Sequence, residues 1–195
     1  YIKPYLGRKS PAQISLHYCG LGVLYLSMLL VVTLRDGFSF LFAWEVMTLS
    51  SFVLMLFDAE RREVRRAALS YLILMHVGFL FLLAGFVTLY ASGLPASFDA
   101  LALYGEQGGN IIPLFIVFLI GFGMKAGIFP LHVWLPEAHP AAPAHISAFM
   151  SGVMIKTGVY GVMRVVSCFD SHLFAIGLIV LCIGAVTCLL YTSPS

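Results

Sequence analysis

Long apolar blocks separated by short polar connections dominate this chain. A helix that crosses the hydrocarbon layer needs about 20 mostly apolar residues at about 1.5 Å each. Six segments meet or approach that length: Gln13–Leu34, Phe38–Phe57, Ala67–Ala91, Ile111–Leu131, Ala144–Val166 and a shorter Leu173–Thr187. The pattern predicts an all-α, polytopic transmembrane helix bundle of about six spans, one of them discontinuous.

The discontinuity lies between Gly121 and Pro143. Gly121, Gly123, Gly127, Pro130, Pro136, Pro140 and Pro143 cannot all sit in one straight helix. A broken helix is tolerated at membrane depth where protein or a wet cavity satisfies the freed backbone groups, and such breaks mark ion sites in transporters. The plainer alternative is a helix that ends near Gly127 and continues as a surface loop. Lys125, placed at the break, favours the ion site.

Composition agrees with lipid as the solvent. The chain is 61% hydrophobic and only 10% charged, with a mean hydropathy of +0.98. Soluble domains hold about a quarter charged residues. A net charge of +2 without a basic, aromatic-interleaved patch gives no sign of nucleic acid. Cys19, Cys168, Cys182 and Cys188 are far apart and have neither CxxC nor metal-ligand spacing.

Loop charge predicts the orientation. Lys3, Arg8 and Lys9 precede the first span, and Arg61, Arg62, Arg65 and Arg66 crowd the connection after the second. Residues 92–110 lack Lys and Arg and carry Asp99 and Glu106. The N-terminal segment and residues 58–66 are therefore expected inside, and residues 92–110 outside. Arg35 and Arg164 fall on the outer side and weaken the asymmetry slightly.

Of the 20 Lys, Arg, Asp and Glu residues, Glu45, Lys125 and Lys156 fall well inside apolar spans. Each costs about 2.5–3.5 kcal/mol at the centre of a membrane helix. Burial favours a neutral amine, whereas a nearby carboxylate favours the ammonium, so a movable carboxylate switches a lysine between releasing and holding a proton. A static Glu–Lys ion pair is the competing account, but it leaves one lysine unexplained. His145, Phe149, Gly152 and Lys156 follow an i, i+4, i+7, i+11 rhythm and are expected on one helix face. For His145 alone, a place in the headgroup region is the simpler reading. His76 suits either a relay or a neutral hydrogen-bonded role. His132 and His145 are separated by three prolines, which argues against paired haem ligation on one helix.

The stretches FAWEVMTLSSFVLMLF and GFGMKAGIFPLHVWLPEAHPAAPAHISAFMSGVMIKTGVYGVMR resemble the antiporter-like, proton-translocating membrane subunits of respiratory complex I. Within that family they are most similar to the hydrogenase-4 component B and formate hydrogenlyase subunit 3 group. The resemblance implies roles for individual residues. Glu45 is the modulating glutamate, Lys125 the lysine of a discontinuous helix, and Lys156 a connecting lysine. His132, Pro136 and Glu137 belong to the segment after the break, and His76 matches a histidine of the hydrogenase branch. It also implies that residues 1–187 form roughly one inverted repeat of a larger, partial proton-conducting domain. Residues 188–195 (CLLYTSPS) resemble the translation of a transposon-type sequencing adaptor, and are expected to be foreign to the domain.

The expected function is proton translocation in an energy-converting oxidoreductase complex of the hydrogenase-4 or NADH:quinone oxidoreductase type. Glu45, Lys125, Lys156, His76, His132 and His145 are the candidate path, and Gly127, Pro130 and Pro136 the helix break. No cofactor is expected in this chain, so redox centres belong to partner subunits. The expected setting is the prokaryotic inner membrane, with lipid and other membrane subunits as partners. A multisubunit sodium/proton antiporter and a non-conducting scaffold for a peripheral hydrogenase are the alternatives.

Overall fold

A computed structural model describes residues 10–58, 61–169 and 173–192. Lys3, Arg8 and Lys9, and residues 193–195 of the adaptor-like tail, lie outside the described residues. The first helix, α1 (Pro11–Thr33), opens with a capping box: Ser10 accepts from the Gln13 amide, and the Gln13 side chain accepts from the Ser10 amide. Asp36 caps α2 (Gly37–Met55) by accepting the Ser39 N–H at 2.8 Å. A 3₁₀ turn at Leu56–Asp58 leads to the connection before α3 (Arg62–Ala91).

The helix α3 starts five residues before the expected Ala67. Arg62, Glu63, Arg65 and Arg66 are good helix formers, and Glu63 complements the N-terminal dipole. Their charge alone marks them as loop in the sequence. Residues 92–110, expected to be a simple loop, contain the short helix α4 (Ala100–Glu106). The next span, α5 (Ile111–Ala126), ends short of the expected Leu131. Its capping residue, Gly127, has φ +68°, a left-handed conformation that costs a side-chain-bearing residue about 1–2 kcal/mol.

Turns then lead to α6 (Leu135–Ala141), which begins with Pro136 in its first turn, where the missing N–H costs nothing. Pro140 lies inside this helix, one residue before its end. The seven glycines and prolines from Gly121 to Pro143 do not share one straight helix: α5 ends at Ala126, and Pro136 lies in the first turn of the helix that follows the break. The longer α7 (Ala144–Val166) contains a π-helical segment at Met150–Met154. The last helix, α8, runs Leu173–Thr192, past the expected end at Thr187.

By length and composition α1, α2, α3 and α7 can each cross a membrane, while α5 is a shorter apolar helix, as is Ile176–Thr187 within α8. The six predicted spans are thus present, two of them short. The chain is a multi-pass, all-helical membrane protein. The broken helix α5 sits between α3 and α7, and α2 packs between α1 and α3. Gly158 of α7 makes one crossing possible: a Cβ there would meet Ala126 N at 2.6 Å and Phe122 O at 2.8 Å.

Aromatic rings fill the core between α2, α3 and α5. Phe40, Trp44, Phe86, Phe98, Phe118 and Phe122 are fully buried and contact one another with ring centroids 5.0–6.4 Å apart. The segment after α3 is clasped to the start of α2 by Gly37 N–H donating to Ala96 O at 2.7 Å. Arg164 completes this end, with its guanidinium 3.9 Å from the Phe98 ring and Nη1 donating to Leu34 O at 2.7 Å.

Candidate functional site

Lys125 occupies the last turn of α5 and is 1% exposed. At a helix C-terminus its charge faces the negative end of the dipole. Its Nζ donates to Thr48 Oγ1 at 2.7 Å and lies 4.9 Å from the centroid of the Trp44 ring. Thr48 donates its own hydroxyl proton to Trp44 O at 3.0 Å, one turn back along α2. With that proton committed, the Thr48 oxygen presents a lone pair to the lysine.

The backbone around the break is satisfied locally. Trp134 Nε1 donates to Met124 O at 2.7 Å, and Ile128 N–H to Gly123 O at 3.1 Å. These bonds replace the α-helical partners that the break removes. Pro130 follows in the turns, with a cis peptide bond from Phe129. His132 stands half-buried beside the Phe129 ring, with centroids 5.8 Å apart. The adjacent His139 Nδ1 is 2.6 Å from Ser147 Oγ.

Two further hydroxyls continue the polar row on α2. Ser51 donates to Thr48 O at 2.7 Å, and its Oγ lies 2.7 Å from the Tyr71 hydroxyl of α3. Both residues are fully buried. Sequence reasoning passed over Thr48, Ser51 and Tyr71, because a Thr or Ser in an apolar helix can be satisfied by its own backbone carbonyls and carries no charge cost.

Glu45 does not contact Lys125. Its Oε1 lies 2.9 Å from His76 Nε2, with side chains 20% and 46% exposed respectively. His76 Nδ1 lies 2.9 Å from Leu72 O, and a carbonyl only accepts, so Nδ1 carries a hydrogen. The Nε2–Oε1 approach is a close contact without hydrogen-bond geometry: both Glu45 oxygens are buried and accept no hydrogen bond among the described residues.

Lys156 lies in α7, just after the π-helical segment. It is exposed, as are Gly152 and, in part, Phe149, whereas His145 is half-buried. The i, i+4, i+7, i+11 rhythm assumed 3.6 residues per turn. The π segment at Met150–Met154 adds about one residue to its turn, so that rhythm does not carry across it. His145 instead meets a residue absent from the predicted path: its Nε2 lies 2.7 Å from Nε2 of His17 in α1. His17 is 1% exposed. The only sequence signal for it is a histidine at the fifth position of the apolar span Gln13–Leu34.

At the end of the bundle carrying the arginines, a cavity of about 490 Å³ is lined by Arg61, Glu63, Arg66 and Glu137 together with Pro140 and Pro143. It fixes the start of α7 at this basic end.

The NADH:quinone oxidoreductase/Mrp antiporter transmembrane family matches residues 35–194. An uncharacterized protein of Mycobacterium tuberculosis is 41% identical over 151 residues, covering 77% of this chain and 23% of that protein. Hydrogenase-4 component B of Escherichia coli is 31% identical over 193 residues, covering 97% of this chain and 28% of the relative. The chain thus spans about a quarter of the length of these curated relatives. Among solved structures, a subunit of the membrane-bound sulfane sulfur reductase, an archaeal respiratory membrane complex, superposes with a TM-score of 0.73 at 23% identity. It covers 83% of this chain and 34% of that one. Motifs, fold and matches agree: the chain belongs to the NADH:quinone oxidoreductase/Mrp antiporter transmembrane family.

Proposed function

We propose that this chain is part of a proton-translocating membrane subunit of an energy-converting oxidoreductase complex, of the hydrogenase-4 or NADH:quinone oxidoreductase type. Electron transfer belongs to partner subunits, and this chain carries one segment of the proton path. The observation that supports it most is the cradle of Lys125. A lysine 1% exposed at a helix break has a hydroxyl oxygen and an aromatic face as its contacts, not a carboxylate. Such a site offsets only part of the cost of the charge, so a modest change in the surrounding field decides whether the amine keeps its proton.

Glu45 supplies that field. It stands one turn before Thr48 on α2, so its negative charge reaches Lys125 without contact, and its carboxylate lies 2.9 Å from His76. Loss of that negative charge releases the proton from Lys125; its return draws one back. In this reading the exposed Lys156 hands the proton on toward the rest of the subunit.

The test is transport in vesicles holding the full-length subunit in its native complex. Lys125→Met and Glu45→Gln should each abolish proton uptake while leaving the complex assembled. Uptake at the wild-type rate in either variant would sink the proposal. Uptake that required sodium would move the chain to the antiporter class.

A further inference from the structure

The contact between His17 and His145 has no part in the Lys125 site, yet it joins two ionisable side chains from the first and fifth apolar helices. The Nε2–Nε2 separation is 2.7 Å and the ring planes are inclined at 69°. Two ring nitrogens with bare lone pairs would repel at this distance. A hydrogen on one of them turns the contact into an N–H···N bond of ordinary length. The gap is too short for a bridging metal ion. Two nitrogens on one tetrahedral zinc, each about 2.0–2.1 Å from it, stand about 3.3 Å apart.

The location is as informative as the distance. His145 is the second residue of α7, two beyond Pro143, which lines the cavity at the basic end. His17 is buried against the ring of Phe57, with centroids 4.5 Å apart. Phe57 follows the last turn of α2, and Thr48, which holds Lys125, lies nine residues earlier along the same chain. That is about 14 Å at 1.5 Å per residue. The paired hydroxyls of Ser51 and Tyr71 occupy the intermediate height.

We infer that His17 and His145 form a proton-sharing dyad that takes up protons at the basic end of the bundle for delivery toward Lys125. The inference rests on the proton-translocating reading given above. A proton added at Nδ1 of one ring makes an imidazolium. The shared Nε2 hydrogen then crosses the 2.7 Å gap, and a proton leaves Nδ1 of the other ring. One proton enters, one leaves, and both rings end neutral in their exchanged tautomers. Water or ring reorientation restores the starting tautomers before the next transfer.

The experiment uses the full-length subunit in its native complex, with His17→Gln, His145→Gln, the double variant and Lys125→Met compared in vesicles. Each glutamine variant should lower proton uptake at least tenfold with thermal stability unchanged. The double variant should be no slower than either single, because the two rings act as a unit. Wild-type uptake in His17→Gln and His145→Gln alongside a dead Lys125→Met would overturn the dyad and leave the broader reading intact. Wild-type uptake in Lys125→Met would remove that reading itself. Should the glutamine variants fail to assemble, 15N NMR of the histidine-labelled wild-type complex decides. A scalar coupling between the two Nε2 nuclei is expected, and two uncoupled imidazoles would refute the sharing.

Discussion

Thr48 holds Lys125 through one lone pair, and this makes the lysine's position sensitive to a single uncharged atom. In Thr48→Val the hydroxyl is lost at almost constant volume, so Nζ faces a methyl group in a buried site. Hydrogen bonds to charged groups contribute about 1.5–3 kcal/mol, so proton transport should fall at least about tenfold. Thr48→Ser retains the oxygen and should transport near the wild-type rate. Equal rates for the two variants, measured in the same vesicles, would mean that Thr48 only fills space. Lys125 itself was legible in the sequence because a lysine inside an apolar span carries an insertion cost that demands a reason. Thr48 was not, for the opposite reason. His17 was obscured by its place near a span's end, where a histidine reads as a headgroup contact.

Among the helices, two glycines with different reasons for being glycine make a contrast. Gly127 has room for a Cβ, whose nearest neighbour would be Leu135 Cδ2 at 3.5 Å, but its backbone is left-handed. Gly127→Ala should cost about 1–2 kcal/mol from conformation alone. Gly158 has an ordinary helical backbone but no room, with Ala126 N at 2.6 Å from a would-be Cβ. Gly158→Ala must push α5 and α7 apart, which carries the overpacking cost of about 1–3 kcal/mol and displaces the helix bearing Lys125. Denaturant titration in detergent gives both losses. Transport should suffer more in Gly158→Ala than stability alone accounts for.

At the other end of α2, Asp36 lies outside the spans, and its carboxyl is held below the usual carboxylate range by the Ser39 N–H, and further by the Ser39 side chain. A depressed folded value means the cap stabilises the helix above the unfolded value of about 3.9 and loses that contribution as pH falls through the folded one. Hydrogen exchange at Ser39 and Phe40 should therefore quicken under acid, and quicken at neutral pH in Asp36→Ala. Helix positions were legible from apolar length, and ends where charge and helix propensity conflict were not, as at Arg62–Arg66. The π segment of α7 was illegible because periodicity read at 3.6 residues per turn assumes the geometry it is used to find.

For the whole molecule, the charge asymmetry makes an orientation measurable. With the native cysteines replaced, Gln107→Cys should react with a membrane-impermeant thiol reagent from outside intact cells, and Arg62→Cys only after the membrane is opened. The reverse pattern would invert the path, with the His17–His145 end becoming the outlet. The bundle as a class was plain from hydropathy alone. The pairing of Glu45 with His76, and of His145 with His17, depends on which helices are neighbours. That is a property of the packed molecule that one sequence does not encode at any single position.

The chain has two tryptophans, and both touch the same spot. Trp44 lies beside the Lys125 ammonium and Trp134 donates to the carbonyl of Met124. Indole emission responds to nearby charge, so this segment comes with its own optical gauge. Placing or removing a proton on Lys125 should shift the colour of that emission, and Lys125→Met should leave it fixed. A change of protonation at this site can then be watched by light, without attaching a dye.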